Sequence, residues 1–241
     1  MADVILRTRD GDITTLTLNR PEIGNRVSDS MAGQLAAMID EAAKESRLLV
    51  FRGAGEDFCL GRETRGERAS PPEAYELRGN VEVIFNVYDA FRRSKAPIIG
   101  IVQGRAIGFG CALAALCDIT IASEKARFQL PEMGHRIMPT IAMSALIDRV
   151  PRKELMYLVY STEEIDARMA LTFGLVSKVV AAEGLAADVA GLIARLQEYP
   201  LPALLAVKEY ARSGYGMSMQ AAVDFAKNLH ATINSSSSMR R

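Results

Sequence analysis

The chain has 241 residues, and its 29 Lys and Arg against 29 Asp and Glu exclude the basic surplus that a nucleic-acid binder needs. Apolar residues make up 49% and charged ones 24%, the make-up of a globular protein of one large or two modest domains. Three cysteines without a CxxC pair and two histidines leave no disulfide framework or Cys/His zinc site, and the longest uncharged apolar run, residues 106–117, is too short to span a membrane.

The opening MADVILRTRDGD carries acids where a signal peptide needs an apolar run, which predicts a cytoplasmic protein. Residues 13–19 (ITTLTLN) alternate aliphatic side chains with Thr, the period of a half-buried strand. Over 28–43, Met31, Leu35, Met38, Ile39 and Ala42 fall on one helical stripe behind Ser28 as N-cap. A second strand is predicted over 48–52, followed by a glycine- and charge-rich loop to about Ser70. Residues 73–94 then show helical spacing, and 97–102 (PIIGIV) read as a buried strand. A glycine-rich turn over 104–110 opens an apolar helix that runs to Cys117. Residues 119–122 return as a strand, and 128–140 read as loop. Pro139 suits the first turn of a helix running to Val150. Helices at 152–160 and 163–173, a strand at 175–180 and helices at 183–198, 202–212 and 218–233 complete the order. The tail 234–241 (NSSSSMRR) has nothing to bury and is expected to lack fixed structure. Short strands alternating with helices predict an α/β domain followed by a helical segment.

Three places can carry chemistry. The strand–glycine turn–helix of 97–117 presents free N–H groups at a helix start, which suit an oxyanion or equally serve close packing. It matches neither GxGxxG nor a P-loop. Gly61, in DFCLGRE, allows close backbone approach or supplies a positive φ. Glu132, in the otherwise uncharged run FQLPEMG, has a neighbourhood that raises a carboxyl pKa and suits it to proton transfer; an exposed loop carboxylate is the plainer alternative. A Ser-His hydrolase would have to use His135 or His230, and no GxSxG elbow is present.

Together these elements resemble the enoyl-CoA hydratase/isomerase (crotonase) superfamily over about residues 4–215. The most specific section is KAPIIGIVQGRAIGFGCALAALCDITIASEKARFQLPEMGHRIMP, residues 95–139, supported by LNRPEIGN, DFCLGRE and FGLVSKVV. The resemblance implies a spiral of ββα units over 1–198 with a helical region at 199–233, assembled as trimers or pairs of trimers. It implies an acyl-CoA substrate, with coenzyme A part of that substrate and no separate cofactor or metal. Its pattern makes the backbone N–H groups of Arg62 and Phe109 the oxyanion pair and Glu132 the acid–base residue. Ile23, Gly24, Arg26, Leu60, Gly61 and Gly108 would line the coenzyme A and acyl site.

Departures from that pattern shape the expected reaction. Hydratases of this kind use a second glutamate, whose place is taken by Ala112. One carboxylate suffices to shuttle a proton, so isomerisation of a 3-enoyl-CoA to a 2-enoyl-CoA is the leading expectation. A hydratase or lyase of unusual substrate, with His135 or Thr140 standing in, is the alternative; a non-catalytic acyl-CoA-binding homologue is a further one. Phe109 replaces a usual glycine and is expected to narrow the acyl site, and Arg136 replaces another glycine.

Overall fold

A computed structural model describes residues 3–63 and 73–240 of the chain. Residues 64–70, the last part of the loop expected to reach Ser70, lie outside the described residues, as do the chain ends. The first strand, β1 (Ile5–Asp10), was not expected from the sequence. Only Ile5 in it is buried, and it turns at Gly11 (φ +59°) into β2 (Ile13–Leu18), to which it pairs antiparallel. The alternation of β2 is realised, with Leu16 and Leu18 buried and Thr15 and Thr17 half-buried. Helix α1 (Asp29–Glu45) starts at the expected cap, where the Ser28 hydroxyl accepts from the Met31 N–H at 3.2 Å. Strand β3 (Leu48–Gly53) and helix α2 (Ala74–Arg93) follow, and α1 packs along α2.

The centre of the chain repeats one pattern. Strand β4 (Ile98–Val102) is followed by β5 (Arg105–Ile107) and α3 (Phe109–Leu116). Strand β6 (Ile119–Ser123) is followed by β7 (Arg127–Gln129) and, after a 3-10 turn, α4 (Thr140–Leu146). The first strand of each pair enters a six-stranded sheet and the second a smaller one. The same holds for β3 and the segment after it, since Cys59 bridges Ala106 in parallel. Helix α5 (Arg152–Ser161), β8 (Ile165–Asp166), α6 (Ala167–Thr172) and β9 (Lys178–Val180) complete the sheets. The large sheet runs β1-β2-β3-β4-β6-β9, parallel from β2 onward; the small one runs β5-β7-β8. A β7 strand inside the expected loop 128–140, and β8 and α6 where one helix over 163–173 was predicted, are corrections to the sequence reading. Each is only a few residues long, below the length at which periodicity shows.

Between the sheets and helices lies one apolar core, in which Phe51 meets Phe58 and Phe91 edge-on at 5.6 and 5.3 Å between centroids. Every residue of α3 is buried. Helix α7 (Leu185–Glu198) packs Leu185 and Val189 on Ile121 of β6. Helix α8 (Leu201–Gly214) is fastened by Lys208, whose buried ammonium meets Asp118 at 2.7 Å and donates to the Ala96 carbonyl at 3.0 Å. Burial lowers the pKa of Lys208, and Asp118 opposes that effect. Helix α9 (Met219–Asn234) has no buried residue. Residues 237–239, in the tail for which no fixed structure was expected, carry a 3-10 turn with its residues exposed or half-buried. Among the described residues no helix is long and apolar enough to cross a membrane.

Candidate active site

Four chain segments run side by side toward one place. Val27 bridges Arg62 in parallel, with the Val27 N–H donating to Gly61 O and the Glu63 N–H to Val27 O, both at 3.0 Å. The Leu60 N–H donates to Gly24 O at 2.8 Å, and Arg26 Nη1 donates to Leu60 O at 2.8 Å. Gly24 has no room for a side chain, because Leu60 lies directly over it. On the other side of the 59–61 segment, the Ile107 N–H donates to Cys59 O at 2.9 Å. The Gly108 N–H donates to Gln129 O at 2.8 Å and so ties β5 to β7. Segments 24–27, 59–62, 105–108 and 127–132 therefore end together.

Asn25 holds the first of these. It is fully buried with φ +55°, and its side-chain amide donates to the carbonyls of Ala54 and Asp57 at 2.8 Å each while its oxygen accepts from the Arg20 N–H at 2.9 Å. Asn is among the few side chains that tolerate this backbone region.

At the end of the second segment, Gly61 takes φ +103°, and an added Cβ would sit 3.3 Å from Ile107 O. The Arg62 side chain turns away to Asp29 at 2.7 Å, and among the described residues the Arg62 N–H donates to no carbonyl. Gly108 ends the third segment with φ +53° and caps α3. Phe109 is the first residue of that helix, so its N–H has no partner inside the helix, as at any helix start. Gly110 presses so closely on the Cys59 carbonyl that no side chain fits there. The two N–H groups named by the sequence resemblance thus sit on adjacent, interlocked turns. The Phe109 ring is 5% exposed and stacks on Tyr88 of α2, with centroids 5.8 Å apart and planes at 21°.

Glu132 follows β7 at the start of a 3-10 turn, Glu132–His135. Its Oε1 would lie 3.1 Å from a Cβ placed on Gly108, so the carboxylate rests against the turn that leads into Phe109. Its Oε2 is buried and has no hydrogen-bond partner among the described residues. Burial raises the Glu132 pKa, while its own backbone N–H and the charge of His135 pull the other way. His135 and Thr140 are exposed. Ala112, one turn into α3, is fully buried and offers no polar group. Arg136 closes the 3-10 turn at φ +57°, a glycine-like conformation at a position where the sequence resemblance leads one to expect glycine.

Neither cysteine near these turns is a strong nucleophile. Burial pushes the Cys59 thiol up to about 12 and raises Cys111 further, so neither forms a thiolate near neutrality. His230 faces Asn234 at 3.0 Å on exposed α9. Among the described residues no three His, Cys, Asp or Glu side chains gather as a metal site.

Known proteins resemble the chain in sequence and in fold. A family model described as "Enoyl-CoA hydratase/isomerase" matches residues 8–241. The chain is 30% identical over 229 residues to the "Probable enoyl-CoA hydratase, mitochondrial" of Dictyostelium discoideum, covering 93% of this chain and 81% of that one. It is 29% identical over 233 residues to the "1,2-epoxyphenylacetyl-CoA isomerase" of Escherichia coli K12, covering 95% and 89%. An enoyl-CoA hydratase structure from Mycobacterium smegmatis superposes with a TM-score of 0.91 at 28% identity, covering 97% of this chain and 91% of that one.

Proposed function

Since the chain belongs to the enoyl-CoA hydratase/isomerase family, we propose that it moves the double bond of a 3-enoyl-CoA to the 2-position with Glu132 as its sole proton carrier. The observation that carries this reading is the Glu132 carboxylate, whose Oε1 rests against Gly108 and whose buried Oε2 has no partner among the described residues, while Ala112 supplies no second acid.

In this reaction the thioester oxygen lies between the Arg62 and Phe109 N–H groups. Glu132 takes a proton from C2, and the electron pair moves onto that oxygen to give a dienolate. One such donor contributes roughly 3 kcal/mol to the transition state. The carboxyl then returns the proton to C4, the carbonyl re-forms, and the double bond ends between C2 and C3. A raised pKa suits an acid that must hold the proton between the two steps. The segments 23–26 and 60–62, zipped together at the mouth of the site, would receive the coenzyme A portion.

Hydration of a 2-enoyl-CoA is the second reading, favoured by the relatives, which are named hydratases more often than isomerases. Incubating the protein with 3-hexenoyl-CoA and with crotonyl-CoA, followed by mass spectrometry and NMR, separates the two. Isomerisation gives 2-hexenoyl-CoA without change of mass. Faster addition of water to crotonyl-CoA would overturn the isomerase reading.

A further inference from the structure

Helix α1 begins beside residues 61–63, and its first residue reaches across to them. Asp29 opens that helix behind the Ser28 cap. An acid there has an ordinary use, because it complements the free N–H groups of a helix start. Its carboxylate also meets the Arg62 guanidinium at 2.7 Å. Both side chains are partly exposed, 25% for Arg62 and 43% for Asp29, so the pair adds little to stability. What it fixes is the place of residue 62.

The backbone on either side of Arg62 shows why that place matters. The Val27 N–H donates to Gly61 O, and the Glu63 N–H donates to Val27 O, so both neighbours of Arg62 are bonded to one residue. A trans peptide sets its C=O and the following N–H in opposite directions. With Gly61 O turned to Val27, the Arg62 N–H is turned away from Val27. Gly61, at φ +103°, is the joint that permits this turn, and glycine is also the residue least able to hold it. The Arg62 side chain on Asp29 comes directly after that joint. Segment 27–29 thus grips 61–63 at three points: the Val27 N–H, the Val27 carbonyl and the Asp29 carboxylate. Arg20 pairs with Glu63 just beyond.

We propose that Asp29 is a positioning residue for the oxyanion donor: by anchoring the Arg62 side chain, it keeps the peptide after the Gly61 joint from swinging and aims the Arg62 N–H at the thioester oxygen. This rests on the reading of the Arg62 and Phe109 N–H groups as the oxyanion pair, and holds whichever acyl-CoA reaction follows.

The probe is butyryl-CoA labelled with 13C at the thioester carbonyl, which has no double bond to move. Hydrogen bonds to that oxygen weaken the C=O bond, so infrared difference spectra should show its stretch lowered on binding to the wild type. In Asp29→Ala the band should return part of the way toward that of the free thioester. Turnover of 3-hexenoyl-CoA or crotonyl-CoA, whichever the enzyme uses, should fall about 10-fold in kcat with KM changed less than about twofold, a fraction of the cost of losing a whole donor. Asp29→Glu should restore both. Ser28→Ala weakens the same helix start without touching the pair, and should leave the band where the wild type has it. Arg62→Met keeps both an N–H at that position and the first-turn acid of α1; it should repeat the shift, and combining it with Asp29→Ala should add nothing. A wild-type band in Asp29→Ala, or an equal shift in Ser28→Ala, would overturn the proposal. If Asp29→Ala does not fold, Arg62→Met decides alone, and an unmoved band there overturns it. A wild-type enzyme that binds butyryl-CoA without lowering the stretch would instead overturn the oxyanion reading itself.

Discussion

Glu132 and Gly108 are in contact: the carboxylate oxygen occupies the space beside the α-carbon that any side chain at 108 would claim, 3.1 Å from its Cβ. The glycine thus serves two ends, since its φ of +53° also turns the chain into α3. Gly108→Ala should lower kcat/KM by about 10²-fold, as a small displacement of a positioned group does. It should also cost roughly 1–3 kcal/mol of stability, because φ +53° with ψ −112° is a backbone region that side chains rarely enter. Steady-state kinetics beside a denaturant melt separates the two effects; unchanged kinetics would mean that Glu132 works from another position.

The Phe109 N–H can be removed with little harm to its helix, because proline is tolerated at a first helical position. Phe109→Pro should reduce kcat by about 10²–10³-fold. Phe109→Leu, which loses the stacking on Tyr88 but keeps the N–H, controls for the ring. Equal losses in the two variants would assign the effect to packing rather than to the donor.

Burial keeps the folded Glu132 carboxyl protonated to higher pH than in the unfolded chain. Its contribution to stability is therefore full in acid, below the unfolded value, and is lost as pH rises through the folded one. Glu132→Gln should accordingly melt above the wild type at about pH 8, with the gap closing toward about pH 4. The same variant should be inactive. Activity of the wild type should fall in acid at a pH above the ordinary carboxylate value, which a pH–rate profile reads directly.

Helix α9 buries none of its residues, and Met219, Val223, Val207 and Tyr215 lie exposed along the terminal helices. An apolar face of this kind suits contact with other copies of the chain. Light scattering should give the mass of three or six chains at micromolar concentration, and a stable monomer there would refute the assembly.

Much of this site could be read from residue types, because glycines and one isolated acid mark it. Gly61, Gly108 and Glu132 sit where close approach, positive φ and burial respectively demand them. The helices were equally plain: Ser28 caps α1, and the stripe behind it is buried. Strand β1 was not, because a strand with one buried residue shows no alternation; its Arg7 and Arg9 lie outward, paired with Glu41 and Glu45 of α1. Strand β7 was too short to show a period. Tyr88 registered only as one position on an apolar helical stripe. Where its ring ends up depends on how α2 lies against α3, which no local pattern encodes.

Helix α3 is enclosed from Phe109 to Leu116, with no face left to water. Its amides should exchange with deuterium only when the whole molecule opens, and so report global rather than local stability. The Phe109 N–H at its tip, the proposed oxyanion donor, is held like a fixed anvil. On that reading, adjustment to substrate falls to the exposed stretch that includes His135, Ile137, Met138 and Thr140. Tuning of substrate choice in this protein should accordingly gather in that surface, while α3 stays fixed.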